Sequence, residues 1–174
     1  MREANLMEII IYEEGVEAYS KGRISFSNLL MALWIALGTI ACGFVNPLIA
    51  WGYLAFALIM IFLILRKVLC TNCYYYDKWC GMGWGKLSAL LFKKGHIEGF
   101  ITSKGQKLAP LTYGFLTLIP LILLVISIVQ QVTVSKVVVL LLLLAISFYS
   151  GTVSRKSGCA ACKMRSICPS SAVK

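Results

Sequence analysis

Acid is scarce in this chain: seven Asp and Glu stand against 17 Lys and Arg, and there is one histidine, His96. Charged residues make up 14% of the sequence, against about a quarter in an ordinary soluble domain. This scarcity excludes several chemistries. No pair of carboxylates is available for acid–base work, and no Ser–His–Asp set can be assembled. The apolar runs are almost free of ionisable groups, which excludes an ion-coupled transporter or a proton pump. A cleavable signal peptide is not expected, because the first 23 residues carry five Glu where a basic region would lead into an apolar core. Neither end carries a lipidation signal. A non-enzymatic protein is the expectation.

Apolar residues, by contrast, make up 59% of the 174 positions. Four runs approach the length of about 20 helical residues that crosses a hydrocarbon core: Ser25 to Phe44, Leu48 to Leu65, Leu111 to Val129 and Val137 to Val153. Asn46-Pro47 breaks the first pair into a hairpin, since proline removes a donor and pushes its predecessor out of the helical region. Gln130-Gln131 through Lys136 separates the second pair. Pro120, inside the third run, predicts a kink. Of the 17 basic residues only Lys136 falls on the side of the two hairpin tips. The positive-inside rule then places both termini and the central loop in the cytoplasm. That asymmetry accounts for the net +10 charge without a nucleic-acid partner.

Six of the seven cysteines form two triplets. The first is Arg66-Lys67-x-x-Cys70-x-x-Cys73-x6-Cys80, and the second Arg155-Lys156-x-x-Cys159-x-x-Cys162-x5-Cys168. Each follows an apolar run, so the chain reads as a tandem duplication of hairpin and cysteine segment, with the repeats entering the membrane from the same side. Cys-x-x-Cys converges two sulfurs on one ion from a tight turn, and further thiolates complete a tetrahedron. Zinc and iron–sulfur clusters both require four ligands, and each triplet supplies three. Six thiolates can hold two metals by sharing two sulfurs, or four can hold one zinc or one [4Fe–4S] cluster. Alternatively each triplet holds its own ion, with His96 completing one set. Disulfides are disfavoured in a cytoplasmic setting, and a catalytic dithiol remains open, since Cys-x-x-Cys beside Lys and Arg can depress a thiol pKa. Cys42, inside the first run, reads as a small packing residue.

The Cys-x2-Cys-x6-Cys spacing is similar to that of the fungal binuclear zinc-cluster DNA-binding domains. The resemblance implies a two-zinc, six-thiolate arrangement with Cys70, Cys73, Cys80, Cys159, Cys162 and Cys168 as ligands. It covers only these short segments and departs where those domains join their halves by a short loop, because two apolar runs intervene here. Neither ancestry nor DNA binding follows. Cys168-Pro169 resembles the Cys-Pro that ends bacterial ferredoxin motifs.

The fold class expected is an all-α integral membrane protein: four transmembrane helices as two tandem hairpins with a cytoplasmic cysteine-rich cap. Its parts are a terminal segment (1–23), hairpin 1 (24–65), a central loop with the first triplet (66–110), hairpin 2 (111–153) and a tail with the second triplet (154–174). Leu6 to Tyr19 reads as an amphipathic acidic helix that docks on protein, including the chain's own basic face. Lys86 to Gly95 reads as an interfacial helix, with Trp79 and Trp84 at the headgroup level, and residues 96 to 110 as a solvated connection. Gly81-x-Gly83-x-Gly85-Lys86 lacks P-loop spacing, and its glycines relax the backbone after Cys80. Tyr74, Tyr75 and Tyr76 are expected to pack around the cluster or to anchor at the interface. The function expected is a metal-stapled membrane subunit or adaptor holding zinc, with the bilayer and a cytoplasmic or membrane protein as partners. The alternatives are an iron–sulfur electron-transfer subunit and a thiol-redox or metal-handling protein.

Overall fold

The computed structural model describes residues 11–97, 99–100 and 105–173. Five helices organise it: α1 (Lys21–Gly43), α2 (Pro47–Asn72), α3 (Trp84–Leu91), α4 (Gly105–Gln130) and α5 (Val134–Ala160). No strand occurs among the described residues. All but α3 are long and apolar enough to cross a membrane. Between 11 and 33% of each apolar window is buried. Leu48, Val129 and Phe148 are among the many large side chains left outside, the exterior expected of helices that face lipid.

Local chemistry sets the helix ends. Ser20 caps α1 by accepting from the Arg23 amide, and Asn46 caps α2 by accepting from Leu48 N at 2.8 Å, with Pro47 in the first turn. At the far end of α4, Lys136 Nζ donates to Ser127 O and Gln131 O at 2.8 and 2.9 Å. The one basic residue at the hairpin tips is thus a cation on a helix C-terminus.

Helix α1 packs against α2, α4 and α5, and α4 against α5. The core between them is built from Trp34, Tyr53, Ile61, Leu116, Leu143 and Cys42, so Cys42 is a packing residue as its sequence setting suggests. Pro120 lies within α4 and has no amide to offer the carbonyl one turn earlier, that of Leu116. The Tyr53 hydroxyl of α2 donates to that carbonyl at 2.9 Å. An interhelical bond thereby fills the gap that proline opens.

The helices overrun the apolar runs. Helix α2 continues through Arg66 to Asn72 and α5 through Arg155 to Ala160, because Arg and Lys end a membrane run while remaining good helix formers. Each helix passes through a π-helical stretch before its cysteines, Ile59–Ile64 in α2 and Ser150–Ser154 in α5. The expected interfacial helix begins at Trp84 and ends at Leu91. Residues 105–110, expected as connection, are the first turns of α4. Of the expected helix Leu6 to Tyr19, residues up to 10 lie outside the described ones, and 11–19 are turns and extended chain. The amides of Tyr12, Val16 and Tyr19 donate to distant segments, so they close no helical turn.

Candidate functional site

Both cysteine segments pack on one hydrophobic cluster of Tyr19, Ile24, Tyr75, Phe100 and Met164, with Cys73, Cys80, Cys162 and Cys168 against it. Their backbones follow the same turns. Cys73 N donates to Cys70 O and Tyr76 N to Cys73 O. In the second segment Cys162 N donates to Cys159 O and Arg165 N to Cys162 O. Two residues beyond each second cysteine, Tyr75 and Met164 occupy matching buried positions.

Residues 12–19 form a strap across the two segments. Tyr12 N donates to Lys163 O at 3.0 Å and Val16 N to Ala161 O at 3.0 Å, while Tyr19 N donates to Trp79 O at 2.9 Å. The Tyr75 hydroxyl donates to Val16 O at 2.6 Å and accepts from Lys163 N at 3.1 Å, so one side chain touches all three segments. The Tyr19 hydroxyl reaches Gly158 O at 2.8 Å. Tyr76 secures the first segment to the end of α3 through Phe92 O.

Glu17 is the electrostatic centre of the strap. Its carboxylate pairs with Lys163 at 2.5 Å and Lys78 at 3.4 Å, and accepts from the Tyr74 hydroxyl at 2.7 Å. The Lys163 bond first, and then that of Tyr74, hold its pKa at about 2, below the ordinary 4.5. The charged form therefore belongs to the docked strap, and the contribution of Glu17 to that attachment is at full strength above pH 4.5, weakens as pH falls and is gone by about 2. Glu17 is exposed, so added salt weakens the same attachment. Amide exchange at Val16 and Tyr19 in full-length protein should stay slow above pH 4.5 and lose protection below it, after correction for the intrinsic rate. Glu17→Gln should flatten that dependence, and an unchanged profile would remove Glu17 from this role.

All seven cysteines are free thiols, and the six of the triplets are half-buried. Burial pushes Cys73 up to about 12 and raises Cys162 and Cys168. Backbone amides work in the opposite direction. Those of Tyr75, Met164 and Ser170 face the sulfurs of Cys73, Cys162 and Cys168 and favour their anions. Trp84 N, in the first turn of α3, donates to Cys80 Sγ at 3.1 Å. Cys73 lies within electrostatic reach of Cys70, Cys80 and, across the repeat, Cys162; Cys162 in turn reaches Cys159 and Cys168. Among the described residues no three His, Cys, Asp or Glu converge closely enough to hold one ion, and His96 joins no such group.

Beneath the first triplet lies Arg66, fully buried in α2. Its guanidinium carbon is 3.2 Å from the Trp84 ring centroid and 5.1 Å from that of Phe62. Trp84 therefore covers a buried cation. Nε donates to Ile61 O at 3.2 Å, while Nη1 and Nη2 have no partner among the described residues. The matching Arg155 of the second repeat is exposed and donates to Ser170 O.

Met164 carried no signal in the sequence, whereas Glu17 and Tyr19 lay in the acidic segment expected to dock on the chain's own basic face and Arg66 in the repeated Arg-Lys. The repeated Arg-Lys before each Cys-x-x-Cys was visible in the sequence, but it gave no sign that only one of the two arginines is buried. No family model, curated protein or solved structure matches this chain.

Proposed function

We propose that this chain is a multi-pass membrane protein with both termini in the cytoplasm, two tandem helix hairpins and a cysteine-rich cap that binds zinc. The metal, held by Cys70, Cys73, Cys80, Cys159, Cys162 and Cys168, ties the ends of α2 and α5 together. The protein serves as a non-enzymatic subunit or adaptor for a cytoplasmic or membrane protein partner. The observation that carries this reading is the meeting of the two triplets on one cluster, with backbone amides turned to Cys73, Cys80, Cys162 and Cys168. Amide donors on sulfur stabilise the thiolate that a metal requires. The orientation rests on the distribution of basic residues.

The raised Cys73, Cys162 and Cys168 thiols speak against a redox dithiol, which works through a depressed pKa. A metal ion must instead displace their protons, so affinity should rise with pH. Elemental analysis and an absorption spectrum of anaerobically purified protein test the reading. About two colourless zinc ions per chain are expected, since six thiolates complete two tetrahedra when two sulfurs bridge. Cys73→Ser with Cys162→Ser should abolish that content. Iron and sulfide with visible absorption would replace the staple by an electron-transfer subunit. Absence of metal with six titratable thiols would sink the reading.

A further inference from the structure

We propose that the exposed edge of α3 and the lysines around it, Lys86, Lys93 and Lys94, form a docking surface for the headgroups of anionic phospholipid. Leu90 and Leu91 enter the acyl boundary beside them. The inference rests on the membrane placement proposed above and is independent of any metal.

Both ends of α3 are pinned to the stretch of α2 where the apolar run gives way to charge. At its start the Trp84 ring lies against Phe62 and Arg66, and beyond its end Gly95 N donates to Thr71 O at 3.0 Å. The Tyr76 hydroxyl holds the carbonyl of Phe92 at 2.7 Å. The helix therefore lies alongside the last turns of α2, at the depth where a spanning helix leaves hydrocarbon for headgroups. Gly85 and Ser88 form its buried face. Its outer edge is apolar at that depth, with Leu90 82% and Leu91 52% exposed. A single exposed leucine is ordinary on any protein. Two adjacent ones bracketed by lysines have the composition of a helix lying in a membrane surface.

Charge selects the headgroup. From Lys67 through Lys94 the chain carries five lysines and one acid, Asp77. Lys93 and Lys94 are exposed and follow the helix directly. Lys86 stands one turn before Leu90, and the two line an open hollow of about 440 Å³ with Tyr76, Asp77 and Ala89. Lysine suits such a place, since its stem can lie along apolar surface while the ammonium reaches a phosphate. Lys86 Nζ meets Asp77 at 2.9 Å, but both side chains are exposed, so the pair is weak and phosphate oxygens can compete for the ammonium. Asp77 itself repels an anion. Its backbone, at φ 60°, is a conformation that Asn also adopts, which makes Asp77→Asn a mild way to remove the charge.

The experiment offers full-length protein in mild detergent equimolar phosphatidylglycerol and phosphatidylcholine, and native mass spectrometry counts each lipid retained. One lysine near an anionic membrane surface contributes about fivefold in affinity. Wild type should therefore retain phosphatidylglycerol at least about fivefold over phosphatidylcholine. Lys86→Gln with Lys93→Gln and Lys94→Gln should remove most of that excess, and Asp77→Asn should enlarge it. Lys21→Gln with Lys107→Gln and Lys156→Gln, three exposed lysines elsewhere at this end, should keep it. Equal losses in the two triple variants, or no excess in wild type, would overturn the proposal while leaving the membrane placement intact. A wild type that stays monodisperse without detergent and retains neither lipid would overturn both. A measurement on wild type alone covers a variant that does not fold. Phosphatidylglycerol with a photoreactive headgroup should label residues 86–94. Labelling confined to other segments would overturn the proposal and leave this edge to a protein partner.

Discussion

Gly85→Ala should unfold the first cysteine segment, at a cost of about 3 kcal/mol or more, the upper range for overpacking that a site cannot absorb. A Cβ at this position would overlap the carbonyl oxygens of both Tyr75 and Lys78. Those are backbone atoms, held in turn by the Asp77 N to Gly85 O bond at 3.1 Å and the Lys78 N to Tyr75 O bond at 3.0 Å. No side chain can swing away to make room. Displacing Tyr75 would also loosen the strap and the second segment, because its hydroxyl binds Val16 and Lys163 together. Thermal unfolding followed by near-ultraviolet circular dichroism should show a lowered midpoint and loss of the tyrosine signal. Gly22→Ala is the control, since nothing lies within 4 Å of a Cβ there. Equal midpoints for the two variants would contradict the packing described for Gly85.

Tyr53→Phe should cost about 2 kcal/mol by leaving the Leu116 carbonyl unmatched inside the bundle. The cause is Pro120, and this gives the prediction a second arm. Pro120→Ala restores the amide that the Leu116 carbonyl lacks, so Tyr53→Phe should cost much less in that background. The coupling between the two positions separates repair of a proline gap from simple loss of contact. Additive effects in a double-mutant cycle of unfolding free energies would refute the assignment. Gly38 belongs to the same arrangement, because a Cβ there would strike the Tyr53 hydroxyl. The small residue of α1 leaves the space through which the tyrosine reaches α4.

What could be read in advance follows the range of each physical signal. Apolar length located four helices, and Asn46-Pro47 fixed one turn between them, because both act within a few residues. Hydropathy ended two of the runs at Leu65 and before Ser154, where charge begins, although the helical backbone continues past both. The acidic terminal segment has the periodicity of a helix yet is irregular, with turns and bends, where it is described. Its partners, Ala161 and Lys163, are far away in sequence, and no local window contains them. The six cysteines announced themselves through spacing. The burial of Arg66 did not, because an Arg-Lys pair after an apolar run has the same appearance whether it faces headgroups or a tryptophan.

The π-helical stretches fix the phase of everything downstream of them. An α-helix advances about 100° per residue, and each wide turn accommodates one residue more than an α-turn would. Closing Ile59–Ile64 to an α-pattern with no residue removed would swing Arg66 and Cys70 about 100° around the helix axis, away from Trp84 and Ser88, whereas deleting one residue along with the wide turn would leave them in phase. A corresponding closure of Ser150–Ser154 at constant length would turn Cys159 by about the same angle. The two stretches thus behave as angular adjusters, one for each half. They let a helix keep its apolar face outward along its length and still present its last turn to the opposite half of the chain.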